Sequence, residues 1–259
     1  VVERKYDATL DLTTVRFENG VRATIKKTPF EEDRVRVSVR IAGASVSELG
    51  AAPGLSYVFG YTFLPGGLKA HDYAALDRTR AGRTANPASQ LTHEGIKLLG
   101  ETTPDTLLYQ LQVLAAFVTS PGFRPEAMEI YQRQVEETYD RIATTPSGIW
   151  LLEKDRLLYS GHPRVGYPRK ADLLGWTSER LRNALTHALS TGPIEIGVVG
   201  AVEPDAAIAH LARTFGALPK REASRPEVAA DRLASMPAGG GAPAILRYEA
   251  AGHQAIAGT

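Results

Sequence analysis

Apolar and polar residues alternate at the start of the chain. Residues 15–17 and 21–25 follow the two-residue period of a β-strand, and Asn19-Gly20 between them is a strong hairpin signal. Residues 34–41 alternate again. Val35, Val37, Val39 and Ile41 fall on one side, and Arg34, Arg36, Ser38 and Arg40 on the other. That pattern predicts a half-buried strand covered on its valine face, and three antiparallel strands opening the domain. Arg16 and Arg22, with Arg34, Arg36 and Arg40, then mark the exposed side of the sheet. Two further strands are predicted at 81–88 and 91–99, divided at Asn86-Pro87, and a last one at 194–200, Ile-Glu-Ile-Gly-Val-Val-Gly.

Helical spacing governs most of the remainder. Residues 53–64 read as a short apolar helix, with Pro53 in the first turn where a missing N–H costs nothing. Tyr57 and Tyr61 stand four apart and share a face. Gly60 lies beside them, although glycine inside a helix costs roughly 1 kcal/mol against alanine. A second short helix is predicted over 71–78. Thr103-Pro104-Asp105 supplies an N-cap, a first-turn proline and a dipole-complementing carboxylate for a helix striped by Leu107, Leu108, Leu111, Val113, Leu114 and Val118. Pro125 opens the next, to about residue 143, with Met128, Ile130, Tyr131, Val135, Tyr139 and Ile142 as its stripe. Others follow at 147–159, from Thr177-Ser178 to about 189, and at 204–215, with a loop at 161–168. Sheet first, helices next and a late strand predict an α+β fold: a mixed or antiparallel sheet with a layer of helices on one face.

From Pro219 the composition shifts to Arg, Glu, Ala, Pro and Gly, and includes Gly239-Gly240-Gly241. Four parts are expected: a lead-in over 1–13, an α+β domain over 14–220, a linker over 221–243, and the first strands of a following domain over 244–259. The sequence opens on Val1 without a signal-peptide pattern and ends just after an apolar run, so both ends read as cut from a longer polypeptide.

Composition narrows the chemistry. With 259 residues, 43% hydrophobic and 23% charged, the chain can bury a sizeable core. A formal charge of +1 gives no reason to expect a nucleic-acid or acidic-membrane partner. The sequence has no apolar run long enough for a transmembrane helix. Having no cysteine excludes disulfides, thiolate metal sites and cysteine nucleophiles. His71 and His93 lack a second ligand at helical spacing, His162 reads as a turn residue, and His187, His210 and His253 are isolated. Gly197 to Gly200 lacks the third glycine of a dinucleotide loop. Glu136 and Glu137 read as a solvated helix face, Glu137 pairing with Arg133 and Arg141 four residues to either side.

Several stretches, in this order, resemble the insulinase/pitrilysin-type zinc metallopeptidases across residues 14–220. They are Phe17-Glu18-Asn19-Gly20-Val21-Arg22, the 35–41 strand, Gly43-Ala44-Ser45, Pro53-Gly54-Leu55, Gly197-Val198-Val199-Gly200-Ala201-Val202 and Phe215-Gly216-Ala217-Leu218-Pro219. The resemblance implies a fold like that of mitochondrial processing peptidase and the LuxS-type metallohydrolases. Catalytic members carry His-x-x-Glu-His directly after the Gly-Leu. Its two histidines bind zinc and its glutamate activates the zinc-bound water; a further glutamate ligand comes from a later helix. Here Tyr57 and Tyr61 occupy the histidine positions and Gly60 the glutamate position, while Glu137 stands near the third-ligand position. The resemblance therefore implies an inactive unit with no catalytic or metal-ligating residue of its own. Tyr57, Gly60 and Tyr61 would pack together or line the substrate chamber. Zinc would belong to a catalytic half or sister subunit, and the substrate would be a peptide or unfolded polypeptide, pairing in some members with an exposed strand edge. It further implies a periplasmic setting, by likeness to the long bacterial members. The alternative it leaves open is a structural or assembly subunit with no part in proteolysis.

Overall fold

The computed structural model describes residues 1–44, 52–92, 94–161, 165–223 and 245–246. Seven strands form one mixed sheet: β1 (Glu3–Asp7), β2 (Leu12–Arg16), β3 (Arg22–Lys27), β4 (Val35–Ile41), β5 (Ala85–Thr92), β6 (Gly95–Thr102) and β7 (Ile194–Gly200), in the order β1-β2-β3-β7-β4-β6-β5. Only β3 and β7 run parallel; every other pair is antiparallel. The fold is thus α+β, as expected.

The hairpin forms where the sequence places it, with Gly20 at φ 91°. Asn19 does more than turn the chain. Its Nδ2 donates to the carbonyls of Phe215 (2.8 Å) and Leu218 (2.9 Å), and its Oδ1 accepts from the Val21 N–H at 3.2 Å. One buried amide therefore ties the β2–β3 hairpin to the last turn of the domain.

Three expectations need correction. The third predicted strand, β4, does not join the hairpin: β7 lies between β3 and β4. Alternation tells a strand which face is buried but not which strand sits beside it. Part of the expected lead-in, Glu3–Asp7, is edge strand β1, paired with β2. The predicted break at Asn86-Pro87 falls inside β5, and β5 and β6 each run several residues later than predicted. Proline is tolerated there because β5 is the sheet edge among the described residues, where no second neighbour needs its N–H.

The helices lie on one face: α1 (Leu55–Thr62), α2 (Tyr73–Arg80), α3 (Leu107–Thr119), α4 (Pro125–Ala143), α5 (Pro146–Leu158), α6 (Lys170–Leu174), α7 (Ser178–Thr191) and α8 (Pro204–Arg213). The Thr103 signal first yields a 3₁₀ turn at Pro104–Thr106 and then α3. Ile25, Val39, Ile96 and Val198 of the sheet meet Leu111, Leu114, Leu185 and Leu211 of the helices in one apolar core. The opposite face is ionic, as the arginine pattern predicts: Arg34 reaches Glu101 (2.9 Å), Arg36 reaches Glu31 (3.0 Å) and Arg40 pairs with Glu94. Such exposed pairs contribute roughly 0–1 kcal/mol each, so the helical face dominates stability.

After α8 the chain does not leave at once. The Arg221 N–H donates to the Asn19 carbonyl (2.7 Å) and that of Glu222 to the Thr191 carbonyl (2.8 Å), so the start of the expected linker is part of the domain. Residues 224–243 of that linker, and the strands expected beyond it, lie outside the described residues save 245–246.

Candidate functional site

Helix α1 is built to be held on one side only. Gly54 caps it with φ 81°, and a Cβ there would stand 2.8 Å from Leu173 Cδ2, so glycine is required twice over. Trp176 Nε1 donates to the Pro53 carbonyl at 3.0 Å and fixes the entry. Leu55, Val58 and Phe59 are fully buried, and Phe59 stacks on Phe63 with ring centroids 4.5 Å apart. At roughly 1.5–3 kcal/mol per buried side chain, this face anchors the helix. The spacing then forces Tyr57, Gly60 and Tyr61 to the other side. Tyr57 is half-buried, and Gly60 and Tyr61 are exposed.

What gathers there is an aromatic cluster. Tyr61 stacks on Tyr131 of α4 at 5.8 Å, and Tyr57 meets Tyr167 edge-on at 5.1 Å. Tyr139 of α4 also meets Tyr167, at 5.9 Å, and its hydroxyl donates to the Pro168 carbonyl at 2.8 Å. Tyr131 and Tyr139 were legible only as apolar-stripe residues of their helix; nothing in the sequence marks Tyr167, which reaches the site from a loop. Tyr57 and Tyr167 also line a cleft of about 270 Å³ with Ser56, Arg156, Arg169 and Asp172. Above Gly60 there is open space among the described residues: a Cβ built on it has none of them within 4 Å.

The electrostatics oppose metal binding. Burial pushes the phenol of Tyr131 well above its usual range, with the phenols of Tyr167, Tyr61 and Tyr57 adding to the shift. Burial likewise raises Tyr57, Tyr139 and Tyr167. These phenols are therefore protonated at neutral pH, and a protonated phenol is a poor zinc ligand. The Tyr131 hydroxyl is buried and has no hydrogen-bond partner among the described residues.

Glu137 does not join the cluster. It is exposed, and α-helical geometry sets it about 200° around α4 from buried Val135. Its expected ion pairs with Arg133 and Arg141 are not formed among the described residues, in keeping with the small gain of solvated pairs. No three His, Cys, Asp or Glu side chains among the described residues come together in a way that could hold a metal. The zinc of the resembling family does not fit this face of α1, which offers the phenols of Tyr57 and Tyr61 and a bare glycine in place of imidazole and carboxylate groups. His71, His187 and His210 lie apart from it; His93, His162 and His253 fall outside the described residues. No helix among the described residues is long and apolar enough to cross a bilayer.

Beside α1 runs the open edge of the sheet. Helix α1 packs on β5, whose outer side has no neighbouring strand among the described residues. Pro87 has no N–H for β6, so it faces outward, and strand alternation turns the backbones of Ala85, Ser89 and Leu91 the same way. In agreement, the Ala85 carbonyl accepts from Arg80 Nη1 at 3.2 Å instead of from β6.

No protein-family model and no curated protein matches the sequence. Solved structures do. A peptidase M16 inactive domain from Pseudomonas fluorescens aligns with a TM-score of 0.66 and 19% identity, over 85% of this chain and 54% of that one. The first half of the periplasmic protease PqqL from Escherichia coli gives 0.66 and 15%, over 91% of this chain and 51% of that one. The ferredoxin protease FusC, in complex with Arabidopsis ferredoxin, gives 0.68 and 15%, over 87% of this chain and 25% of that one. The chain thus spans about half of two of these structures and a quarter of the third. At such identities the likeness is one of fold: this chain has the α+β fold of an M16 peptidase domain.

Proposed function

We propose that the chain is a non-catalytic domain of an insulinase/pitrilysin-type peptidase. In this reading it encloses and positions a peptide or unfolded polypeptide while a zinc-bearing half or sister subunit hydrolyses it. The observation that carries the reading is the face of α1. By the sequence resemblance, Tyr57, Tyr61 and Gly60 would stand at the positions of the two zinc histidines and the catalytic base. A glycine at the base position cannot activate water, but aromatic rings beside a strand with no outer neighbour among the described residues suit an extended chain. Ser89 and Leu91 of β5 would each offer an N–H and a carbonyl, and Pro87 a carbonyl, to a peptide lying along that edge. Its side chains would then pass the tyrosines and the open space above Gly60. A periplasmic setting agrees with the bacterial periplasmic protease of the same fold.

A second reading, a structural or assembly subunit, draws support from α5. Leu151, Leu157 and Leu158 of that helix are exposed, and so is Ile130 of α4. Apolar residues on adjoining helices suit a protein partner. The two readings separate in one experiment, in which a fluorescently labelled, reduced and alkylated casein is titrated with the purified chain. Saturable binding, weakened by Tyr61→Ala and without cleavage, supports the substrate-positioning reading. No binding by the wild-type chain, together with a stable complex with another subunit, favours the assembly reading.

A further inference from the structure

A second cleft lies where the C-terminal ends of α3 and α7 meet the segment after α8. It has a volume of about 350 Å³, at the lower end of the roughly 300–1,000 Å³ usual for ligand sites. Its walls are apolar, from Val118, Pro121, Phe123 and Leu189, and three cations line it: Lys69, Arg182 and Arg221. Arg182 lies over the Phe123 ring, its guanidinium carbon 5.8 Å from the centroid.

Arg221 is the unusual member. It is 4% exposed. Its Nη1 donates to the Leu189 carbonyl at 2.8 Å, and its buried Nε has no partner among the described residues. No carboxylate among the described residues stands within ion-pair distance of it. A buried guanidinium remains charged and ordinarily needs an anion. A purely structural role, capping α7, accounts for only part of this. A helix C-terminus carries roughly half a negative charge, and the two ends here together offset about one of the three cations. Among the described residues the cleft is therefore short of negative charge.

The rim identifies the rest of the ligand. The hydroxyl protons of Thr119, Thr186 and Ser190 already donate to the carbonyls of Ala115 (3.1 Å), Arg182 (2.7 Å) and His187 (3.0 Å). What these hydroxyls still offer is acceptor lone pairs. A plain fatty acid has nothing to give them; a peptide has amide N–H groups.

We propose that this cleft binds the C-terminal carboxylate of a peptide that ends in an apolar residue. The Arg221 guanidinium takes the carboxylate, the Phe123 and Leu189 wall takes the last side chain, and the rim hydroxyls accept from the amide N–H groups behind it. The site is separate from the α1 face and does not depend on the function proposed for it.

Fluorescence anisotropy tests this with an N-terminally labelled hexapeptide ending in Ala-Leu, against the same peptide as its C-terminal amide, one ending in Asp, and decanoate as competitor. The free acid should bind with Kd below about 1 mM, and the amide and Asp-ended peptides at least about tenfold more weakly. Arg221→Gln should weaken the free acid about tenfold or more. Its folding is checked by thermal melting, because the change removes a bond at the end of α7. Should it fail to fold, the exposed rim pair Lys69→Gln/Arg182→Gln carries the test, with several-fold weaker binding and a shallower salt dependence. Equal binding of acid and amide, no binding of the free acid, or binding of decanoate in its place overturns the proposal.

Discussion

Gly60→Ala separates what the helix needs from what the site uses. Gly60 lies inside α1, and its φ is not positive, so the backbone does not require glycine. A Cβ there meets none of the described residues within 4 Å, so alanine neither clashes with them nor gains packing. Only intrinsic propensity remains, which favours alanine by about 0.8–1.0 kcal/mol. For a domain of this size that corresponds to a rise in Tm of about 2–4 °C, with an unchanged denaturant m-value. Gly54→Ala is the internal control. Its φ of 81° and a Cβ only 2.8 Å from Leu173 should lower stability by about 1–3 kcal/mol. Urea unfolding and thermal melting of both variants, followed by circular dichroism, give these signs directly. If the open space above Gly60 admits a bound peptide, Gly60→Ala should be more stable and yet bind casein more weakly. A neutral or destabilised Gly60→Ala would refute the geometry argued for α1. A stabilised variant with wild-type binding would remove Gly60 from the peptide path.

Tyr131→Phe removes a buried hydroxyl that has no partner among the described residues, and should raise stability by about 1 kcal/mol. A loss of similar size in urea unfolding would mean that the hydroxyl is satisfied in solution. The raised phenols also set an alkaline limit. Below about pH 10 the folded and unfolded forms of Tyr57, Tyr131, Tyr139 and Tyr167 are all protonated, and their contribution is fully present. Above it the unfolded phenols lose their protons first, so stability falls with rising pH. An ultraviolet phenolate titration should show Tyr57, Tyr131, Tyr139 and Tyr167 lagging until the chain unfolds; their ionising in the folded protein at the pH of a free phenol would contradict the burial assigned to them.

Much of the fold could be read in advance because it is written locally. The alternation at 34–41 names the buried face of β4, and Pro125 marks the first residue of α4. Sheet order could not be read that way, since β7 enters between β3 and β4 from more than 150 residues further along the chain. Edge position is equally non-local, so Pro87 reads as a strand break in the sequence, whereas β5 has one neighbour among the described residues. The short helix α6 carries too few residues to show a period. At the site, the i, i+4 spacing of Tyr57 and Tyr61 was sufficient to place them on one face. The partners that complete the cluster were not legible: Tyr131 and Tyr139 look like core, and Tyr167 lies in a loop without a pattern. Glu137 shows the converse, since its distance along the sequence suggested the site and its angle around α4 takes it away. Arg221 sat in a stretch with linker composition, and only the folded chain reveals that it is buried.

Zinc content per chain tests the non-catalytic assignment most directly. The purified protein is equilibrated with excess zinc, passed through a desalting column and analysed by mass spectrometry for bound metal. The tyrosine-for-histidine face of α1 predicts far less than one zinc per chain. One tightly held zinc per chain, released by a chelator and lost in a Tyr57→Phe/Tyr61→Phe variant, would contradict it.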